Sequence, residues 1–353
     1  MTRAQDLQKI TTRLAQADIA FYILPAIMLE LVAGTIAQRE IGLYAAQKIF
    51  FKSFILWAGP MPLPGFYTLT GLLTFFLLLK FLLASPWKLE KAGIHLTHLG
   101  VLVLLIGGLA TALNAREGYM LLPEGGSSPY VYDYLQRELF IFKDNELLLT
   151  VPFEKLEYAE FPPLPFTIRT TETCANCEIV KQENPTAQHK GMARFMALTP
   201  KPSEKEPEEN ISGTTLDIDG NIYIAFEAMP KPIEIKNYKI MFGRQQRLLP
   251  FSIKLDDFTK DNYPGTDKAR EFSSDITIED NGISWTEHIA MNEPLRYKGY
   301  TFYQSSFEQG PDGEATVLSV VENKGRLFPY IGTILMAAGL LLHIFLMMKA
   351  KTK

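Results

Sequence analysis

The chain has 353 residues, 47% of them hydrophobic, and a formal net charge of -4. Basic and acidic residues are interspersed, which excludes the strongly basic surface typical of nucleic-acid-binding proteins. The average composition is that of a soluble two-domain protein. However, the apolar residues are concentrated in a few long runs, and this uneven distribution predicts a membrane protein.

Four apolar runs predict four transmembrane helices. Each run has about 20 residues, the length that an α-helix needs to cross about 30 Å of hydrocarbon. We place the helices at about 19–37, 66–84, 94–113 and 327–348. The segment near 41–57 is apolar with Lys48 and Lys52 on one helical face, which predicts a helix lying in the membrane interface.

Basic residues beside the runs predict the orientation, because cytoplasmic loops collect lysine and arginine. If the N-terminus is cytoplasmic, the inner segments hold Arg3, Lys9, Arg13, Lys88, Lys91, Lys349, Lys351 and Lys353. The short outer loop then holds Arg39, Lys48 and Lys52. The first run is too long for a signal peptide and no clear cleavage site follows it. We therefore expect both termini to be cytoplasmic and residues 114–326 to lie outside.

The pattern of residues 114–326 predicts a β-rich domain. Short alternating runs predict strands at 147–151, 222–226, 251–255, 275–278, 299–303 and 315–321. So many short strands favour a sandwich of antiparallel sheets. Residues 200–210, rich in Lys, Glu, Pro and Ser, predict a disordered loop. The fold class is thus an α+β membrane protein with four transmembrane helices and a large, sandwich-like extracytoplasmic domain.

The only two cysteines, Cys174 and Cys177, form a Cys-x-x-Cys motif within this outer domain. Glu178 stands where a c-type haem attachment motif needs histidine. The motif is at most half a zinc site, with only His189 near in sequence. A redox-active pair remains open, but we favour a structural disulfide because the predicted compartment is oxidising.

Three stretches of the outer domain carry long sequence motifs. Residues 249–266 end in Tyr263-Pro-Gly-Thr266, residues 272–278 follow, and residues 291–307 fit the pattern NxPLxYxGYxFYQSS. These stretches resemble the ResB family of cytochrome c biogenesis proteins. The Gly34-Thr35 pair and His98-Leu99-Gly100 also fit, as does the order of three spans, outer domain and final span. This chain has three widely scattered Trp residues and no tryptophan-rich segment.

The resemblance implies a subunit that handles haem b across the bacterial cytoplasmic membrane for attachment to apocytochrome c. Its expected partner is a polytopic protein of the ResC or CcsA type, which carries the tryptophan-rich segment. The chain by itself is then a non-catalytic or co-catalytic subunit of a cytochrome c synthase. Alternatives are a membrane-tethered thiol relay through Cys174 and Cys177, and a haem-free scaffold for the partner.

Histidines in the spans are the candidate haem ligands, because polar groups in lipid are costly and raise a functional hypothesis. The resemblance implies haem iron ligation by His98. His98 and His343 lie at similar predicted depths and could bind iron from opposite faces if their helices share a cleft. His95 is a further candidate, or an interfacial residue. Alternatively, each imidazole hydrogen-bonds to a neighbour or extends to water, and the partner supplies the second ligand.

Other polar residues have simpler interpretations. Glu30, near the middle of the first span, faces the helix bundle, the partner protein or a polar path, or makes a structural hydrogen bond. Lys80 lies near a span end and extends to the interface. We interpret His189 and His288 as ordinary surface or core histidines of the outer domain, without a role in binding a ligand.

Overall fold

The computed structural model describes residues 18–84, 87–159, 161–227, 229–310 and 313–351. The chain divides into two compact units. A helical unit comprises Met1–Ala115 with Asn323–Lys353, and a β unit comprises Arg116–Glu322. Arg3, Lys9, Arg13 and Lys353, on which part of the orientation argument rests, lie outside the described residues.

The helical unit contains five α-helices and one hairpin within its described residues. The helices are α1 Asp18–Ile41, α2 Leu43–Ala46, α3 Phe66–Leu79, α4 Ala92–Asn114 and α5 Phe328–Lys351. A π-helical turn, Gln47–Phe51, continues α2, another, Lys80–Ala84, continues α3, and a 3-10 turn, Leu89–Lys91, precedes α4. The hairpin strands are β1 Ile55–Ala58 and β2 Met61–Pro64.

Three of these helices are long and apolar enough to cross a membrane. They cover Ile19–Ile41, Leu89–Asn114 and Phe328–Ala350. The second predicted span corresponds to a shorter apolar helix, Phe66–Leu82. Membrane insertion is thus supported by three helices, and a fourth span stays a prediction.

The interfacial helix predicted near 41–57 is wrong for the residues after Phe51. Helical structure ends at Phe51, and β1 pairs with β2 instead. Gly59, with a φ of 64°, and Pro60 form the connecting turn. This Gly-Pro pair favours a tight turn over a helix, and apolar strand residues beside it mimic an amphipathic helix in sequence.

Glycines form the contact between α4 and α5, here called the glycine seam. Gly93, Gly100 and Gly107 of α4 recur every seven residues, as do Gly332 and Gly339 of α5. A Cβ atom at Gly100 would lie 2.7 Å from the carbonyl oxygen of Gly332. The two antiparallel helices therefore meet backbone to backbone, as small residues allow in membranes.

Fifteen strands make up the β unit in its described residues, and every strand pair is antiparallel. Each of the six predicted strands overlaps one of them. The first eight are β3 Arg116–Pro123, β4 Ser127–Lys143, β5 Glu146–Pro152, β6 Ile168–Cys174, β7 Cys177–Lys181, β8 Met196–Pro200, β9 Gly213–Ile218 and β10 Asn221–Phe226. The others are β11 Ile233–Ile235, β12 Tyr238–Asn262, β13 Ala269–Asp280, β14 Ile283–Ala290, β15 Leu295–Tyr297, β16 Tyr300–Gly310 and β17 Gly313–Glu322.

Ten strands form one large sheet that curls over itself. Its order is β14-β13-β12-β4-β3-β17-β16-β15, with β11 added to β12 and β5 added to β4. Strands β13 and β14 at one end contact β16 at the other end. The first core lies inside this curl and includes Ile253, Ile276, Phe302 and Leu318, all fully buried.

A sandwich occurs only in the other part of the β unit. The three-stranded sheet β10-β9-β6 shares a second core with β4, β5, β11 and β12, centred on Leu139, Ile240 and Leu216. The expected sandwich of separate sheets is thus correct for this core. It is wrong for the first core, because one long sheet supplies both of its walls.

The loop at 200–210 is fixed by hydrogen bonds, so the prediction of disorder is wrong. The side chain of Asn176 donates to the carbonyl of Pro202 at 2.7 Å, and Arg137 donates to the carbonyl of Asn210 at 3.1 Å. The chain also forms a 3-10 turn at Pro207–Glu209. Composition gave no sign of this order, because the donors come from distant parts of the sequence.

Gly100→Ala should destabilise the helical unit, because its Cβ atom would collide with the backbone of α5. Overpacking of this kind costs about 1–3 kcal/mol. We expect a lower thermal unfolding midpoint for the detergent-solubilised protein. Gly108→Ala on the same helix is the control, since nothing lies within 4 Å of that position. Equal midpoints for the two variants would contradict the glycine seam.

Candidate functional site

One face of α4 borders a cavity of about 370 Å³. Ala92, His95, Leu96 and Leu99, spaced as neighbours on one helical face, line it. The opposite wall comes from the end of the preceding helix and the segment before α4, namely Phe81, Trp87, Lys88 and Leu89. The cavity is therefore mainly apolar and aromatic, with one imidazole in its wall.

His95 presents an unused nitrogen within this wall. The side chain is only 8% exposed, and its Nδ1 atom lies 2.7 Å from the carbonyl oxygen of Lys91. A carbonyl can only accept, so Nδ1 carries a proton, and in the neutral imidazole Nε2 then keeps its lone pair. Among the described residues Nε2 is buried and has no hydrogen-bond partner. Metal-ligating histidines are typically oriented by such a bond from their other nitrogen.

Aromatic rings hold the His95 imidazole in place. The ring centroid of Trp87 lies 4.7 Å from that of His95, and the Phe81 centroid lies 6.1 Å away. Phe81 and Trp87 also contact each other edge to face. The sequence interpretation missed both aromatic residues. An aromatic residue in the short connection between two apolar runs was the available signal.

His98 has the same tautomer as His95 but different neighbouring residues. Its Nδ1 atom lies 2.9 Å from the carbonyl oxygen of Ile94, which again leaves Nε2 free to accept. The side chain is half-buried and is not among the residues lining the cavity. Three residues turn a helix by about 300°, so His98 points roughly 60° away from His95.

His343 lies in the glycine seam. Its backbone packs against Gly93, where an added Cβ atom would come within 2.4 Å of the His343 nitrogen. His98 is five residues further along α4, about 7.5 Å along the axis, and on the side away from the seam. The structure therefore does not bring His98 and His343 to a common cleft between α4 and α5. The Nδ1 atom of His343 is buried and unpaired among the described residues.

Glu30 is buried on α1, with only 6% of it exposed. It lies beside the backbone amide of Phe66, the first residue of α3. The amides at a helix N-terminus attract a carboxylate. Both carboxylate oxygens are buried and make no hydrogen bond among the described residues, so the structural hydrogen bond of Glu30 stays a prediction.

Cys174 and Cys177 are joined by a disulfide that connects the end of β6 to the start of β7. Both side chains are buried, at 7% and 1% exposure. The buried side chain of Asn176, between them, bonds to Pro202 and Ile211. The sulfur atoms are enclosed, an arrangement that favours a structural disulfide over exchange with a protein substrate.

The histidines of the β unit have ordinary polar neighbours. His189 Nδ1 accepts from the backbone amide of Thr186 at 3.0 Å. His288 Nδ1 lies 2.7 Å from the carboxylate of Asp275, and both side chains are more than half exposed. These contacts agree with the interpretation of both residues as ordinary histidines.

The motif Tyr263-Pro-Gly-Thr266 forms the turn between β12 and β13. The Thr266 amide donates to the Tyr263 carbonyl at 3.1 Å, and Gly265 has a φ of 76°. Proline followed by glycine at positive φ is the pattern of a type II turn. Tyr263 is 48% exposed at this turn.

A buried polar cluster, here called the Ser-Gln-Thr cluster, links distant strands of the curled sheet. Ser274 donates to Gln304 at 2.8 Å, and Gln304 donates to Thr316 at 2.8 Å. Ser274 and Thr316 are fully buried and Gln304 is 6% exposed. Ser274 and Gln304 belong to the second and third motif stretches. These motif residues therefore fasten β13 to β16 and β17.

The part of the β unit that contains the three motif stretches is similar to known proteins. Residues 233–317, from β11 into β17, match the model of the ResB-like family. This match confirms the resemblance to the ResB family. All three motif stretches lie inside the ResB-like segment. They supply the YPGT turn and two members of the Ser-Gln-Thr cluster.

Two known proteins are similar to parts of this chain. Protein NrfI of Wolinella succinogenes is 33% identical over 107 residues, which are 30% of this chain and 12% of NrfI. Cytochrome c biogenesis protein CcsB of a Synechococcus species is 39% identical over 56 residues, 16% of this chain and 13% of CcsB. Each similarity thus spans roughly an eighth of the relative's length.

Thr316→Val should destabilise the β unit, because it removes the hydroxyl shared by Ser274 and Gln304. Leaving buried polar groups unpaired costs about 1–3 kcal/mol. Thermal unfolding followed by tryptophan fluorescence measures the change. The control is Thr286→Val, an exposed position on β14. Unchanged unfolding of Thr316→Val would show that the cluster adds no stability.

Proposed function

We propose that this chain is a ResB-like subunit that handles haem for cytochrome c biogenesis. The proposal is based on two histidines of α4 in a chain with a ResB-like segment. Both bond through Nδ1 to the preceding turn, and one of them, His95, lines an aromatic cavity. Haem is the cargo in this proposal. The chain would hold and pass it, while attachment to apocytochrome c takes place in a complex.

The chemistry of the α4 site suits haem. Haem iron takes a neutral imidazole as axial ligand, and both His95 and His98 have the proton on Nδ1. The porphyrin is flat and apolar, so Trp87 and Phe81 offer rings against which it can pack. The resemblance favours His98 as the ligand, and the geometry gives His95 as a second candidate on the same helix.

A ligand from a partner fits the geometry better than a ligand from α5. His343 lies on the seam, while His98 lies on the side of α4 away from it. The half-buried His98 thus faces a direction in which a second polytopic protein could pack. A protein of the ResC or CcsA type, with its own histidines, is the proposed partner.

The proposed location is the bacterial cytoplasmic membrane. Four spans with both termini in the cytoplasm would put the N-terminal end of α4, and so His95 and His98, near the cytoplasmic side, where haem is made. The β unit would then lie outside, where it holds the partner or apocytochrome c. In this arrangement the chain is a co-catalytic or non-catalytic subunit.

The absorption spectrum of the purified protein, alone and co-purified with its partner, tests the proposal. Wild type should show a Soret band that His98→Ala or His95→Ala removes or shifts, because the iron loses an axial ligand. His288→Ala, exposed in the β unit, is the matched control and should leave the band unchanged. The two α4 variants compared side by side identify which imidazole binds iron.

A preparation without a Soret band in either form would contradict haem handling and favour the scaffold alternative. A band that survives both α4 substitutions but disappears in His343→Ala would move the ligand to the seam. That result would retain the haem function and exclude the α4 site.

Replacing both Cys174 and Cys177 with serine should cost roughly 2 kcal/mol of stability, the entropy of closing so short a loop. Because the sulfurs are buried, we expect cytochrome c maturation to continue in cells at a temperature where the variant folds. Maturation is measured by haem staining of c-type cytochromes. If maturation stops and an added thiol restores it, the thiol relay is supported instead.

A further inference from the structure

A cavity of about 240 Å³ lies within the β unit. It is lined in part by the first and last residues of that unit. Arg116 opens β3 and Glu322 closes β17, and both line this cavity. Arg247 and Tyr300 add two further polar groups, while Leu249 and Val320 give an apolar wall. We refer to it as the two-arginine cavity.

Arg247 is incompletely paired in this cavity. One of its Nη2 hydrogens goes to the carbonyl of Glu117 at 3.0 Å, and Nη1 lies 3.9 Å from a Glu322 oxygen, too far for a hydrogen bond. Its Nε atom is buried and has no acceptor among the described residues. A guanidinium group has five donors, and buried donors in folded proteins are normally satisfied. The Nε atom therefore lacks an acceptor.

The fold makes room for this guanidinium group. A Cβ atom at Gly118 would lie 2.4 Å from the carbonyl of Tyr132 and 3.0 Å from Arg247 Nη2. Glycine thus lets β3 approach β4 closely and leaves space for Arg247 between the strands. The arginine is built into the sheet and is only 19% exposed.

The charge in the cavity favours an anion. Two arginines face a single carboxylate, that of Glu322, among the residues lining it. Burial raises the pKa of the Tyr300 phenol and Glu322 raises it further, while Arg247 and Arg116 lower it by a smaller amount. Tyr300 is therefore protonated at neutral pH and is able to donate a hydrogen bond. Two cations and one phenol surround a space with an apolar wall.

We propose that the two-arginine cavity binds the anionic oxygens of an amphipathic molecule, with Arg247 and Arg116 contacting the anion and Leu249 and Val320 contacting its apolar body. Guanidinium groups bind carboxylate and phosphate in the same forked geometry. A carboxylate could be a haem propionate, in which case this inference rests on the proposed function. A phosphate could be that of a lipid headgroup.

Octyl compounds test the site independently of haem. The full-length protein in a non-ionic detergent is titrated with octanoate, octyl phosphate or octanol, and its thermal unfolding midpoint is followed. A ligand that binds only the folded state raises this midpoint with saturation. Wild type should respond to one or both anions and not to octanol, since the alcohol lacks the charge that Arg247 needs.

Arg247→Gln and Arg116→Gln should each weaken binding of the anion by about tenfold or more, the typical effect of a lost charge-assisted hydrogen bond. Arg116 is exposed, so its variant keeps the test valid if Arg247→Gln does not fold. Arg169→Gln, an exposed position on β6, is the control for the loss of one positive charge.

Preference for octanoate would assign the site to a carboxylate such as a haem propionate. Preference for octyl phosphate would assign it to a lipid headgroup. If wild type, Arg116→Gln and Arg169→Gln all respond alike, the cavity has no anion specificity and the proposal is overturned. Because no probe contains a porphyrin, this failure would leave the proposed haem site on α4 untouched.

Discussion

The pairing of β4 with β12 is the interaction on which the β unit depends. These two long antiparallel strands run from Tyr238 opposite Lys143 to Lys254 opposite Ser127, with irregular register in two places. One half of the ladder supplies Leu139 and Ile240 to the sandwich core. The other half supplies Val131 and Ile253 to the curled-sheet core. A single ladder thus contributes buried side chains to both cores.

Charged groups occupy the irregular part of this ladder. Arg137 and Arg244, paired across the strands, both bond to the carboxylate of Glu227, and Arg137 is only 5% exposed. A buried and a partly buried cation on one anion need further acceptors, and backbone carbonyls of the 200–210 loop supply them. The same cluster therefore orders a loop that looks disordered from its composition. Arg247 lies between the two register irregularities and lacks such a full set of acceptors. This difference makes Arg247 a candidate for binding an anion.

The helical unit is stabilised by a different kind of contact. Between helices in lipid, close packing takes the place of the hydrophobic effect, and the glycine seam provides it. With the seam occupied by glycine backbones, the imidazoles of His95 and His98 point to other faces of α4. Each imidazole satisfies its own Nδ1 by a bond to the preceding turn. Both therefore offer Nε2 to something outside the α4–α5 pair.

The apolar helices, the six strands and the family resemblance were all predicted from the sequence, because they are local features of the chain. Helix length and alternation depend only on neighbouring residues, so they can be read along the chain. The sequence also singled out His95, His98 and His343. Which of these histidines have the same neighbours could not be predicted from the sequence, because helical phase and the glycine seam set the direction of each ring. The curl of the sheet, the Ser-Gln-Thr cluster and the two-arginine cavity likewise join residues far apart in sequence, such as Gly118 with Arg247 and Ser274 with Thr316.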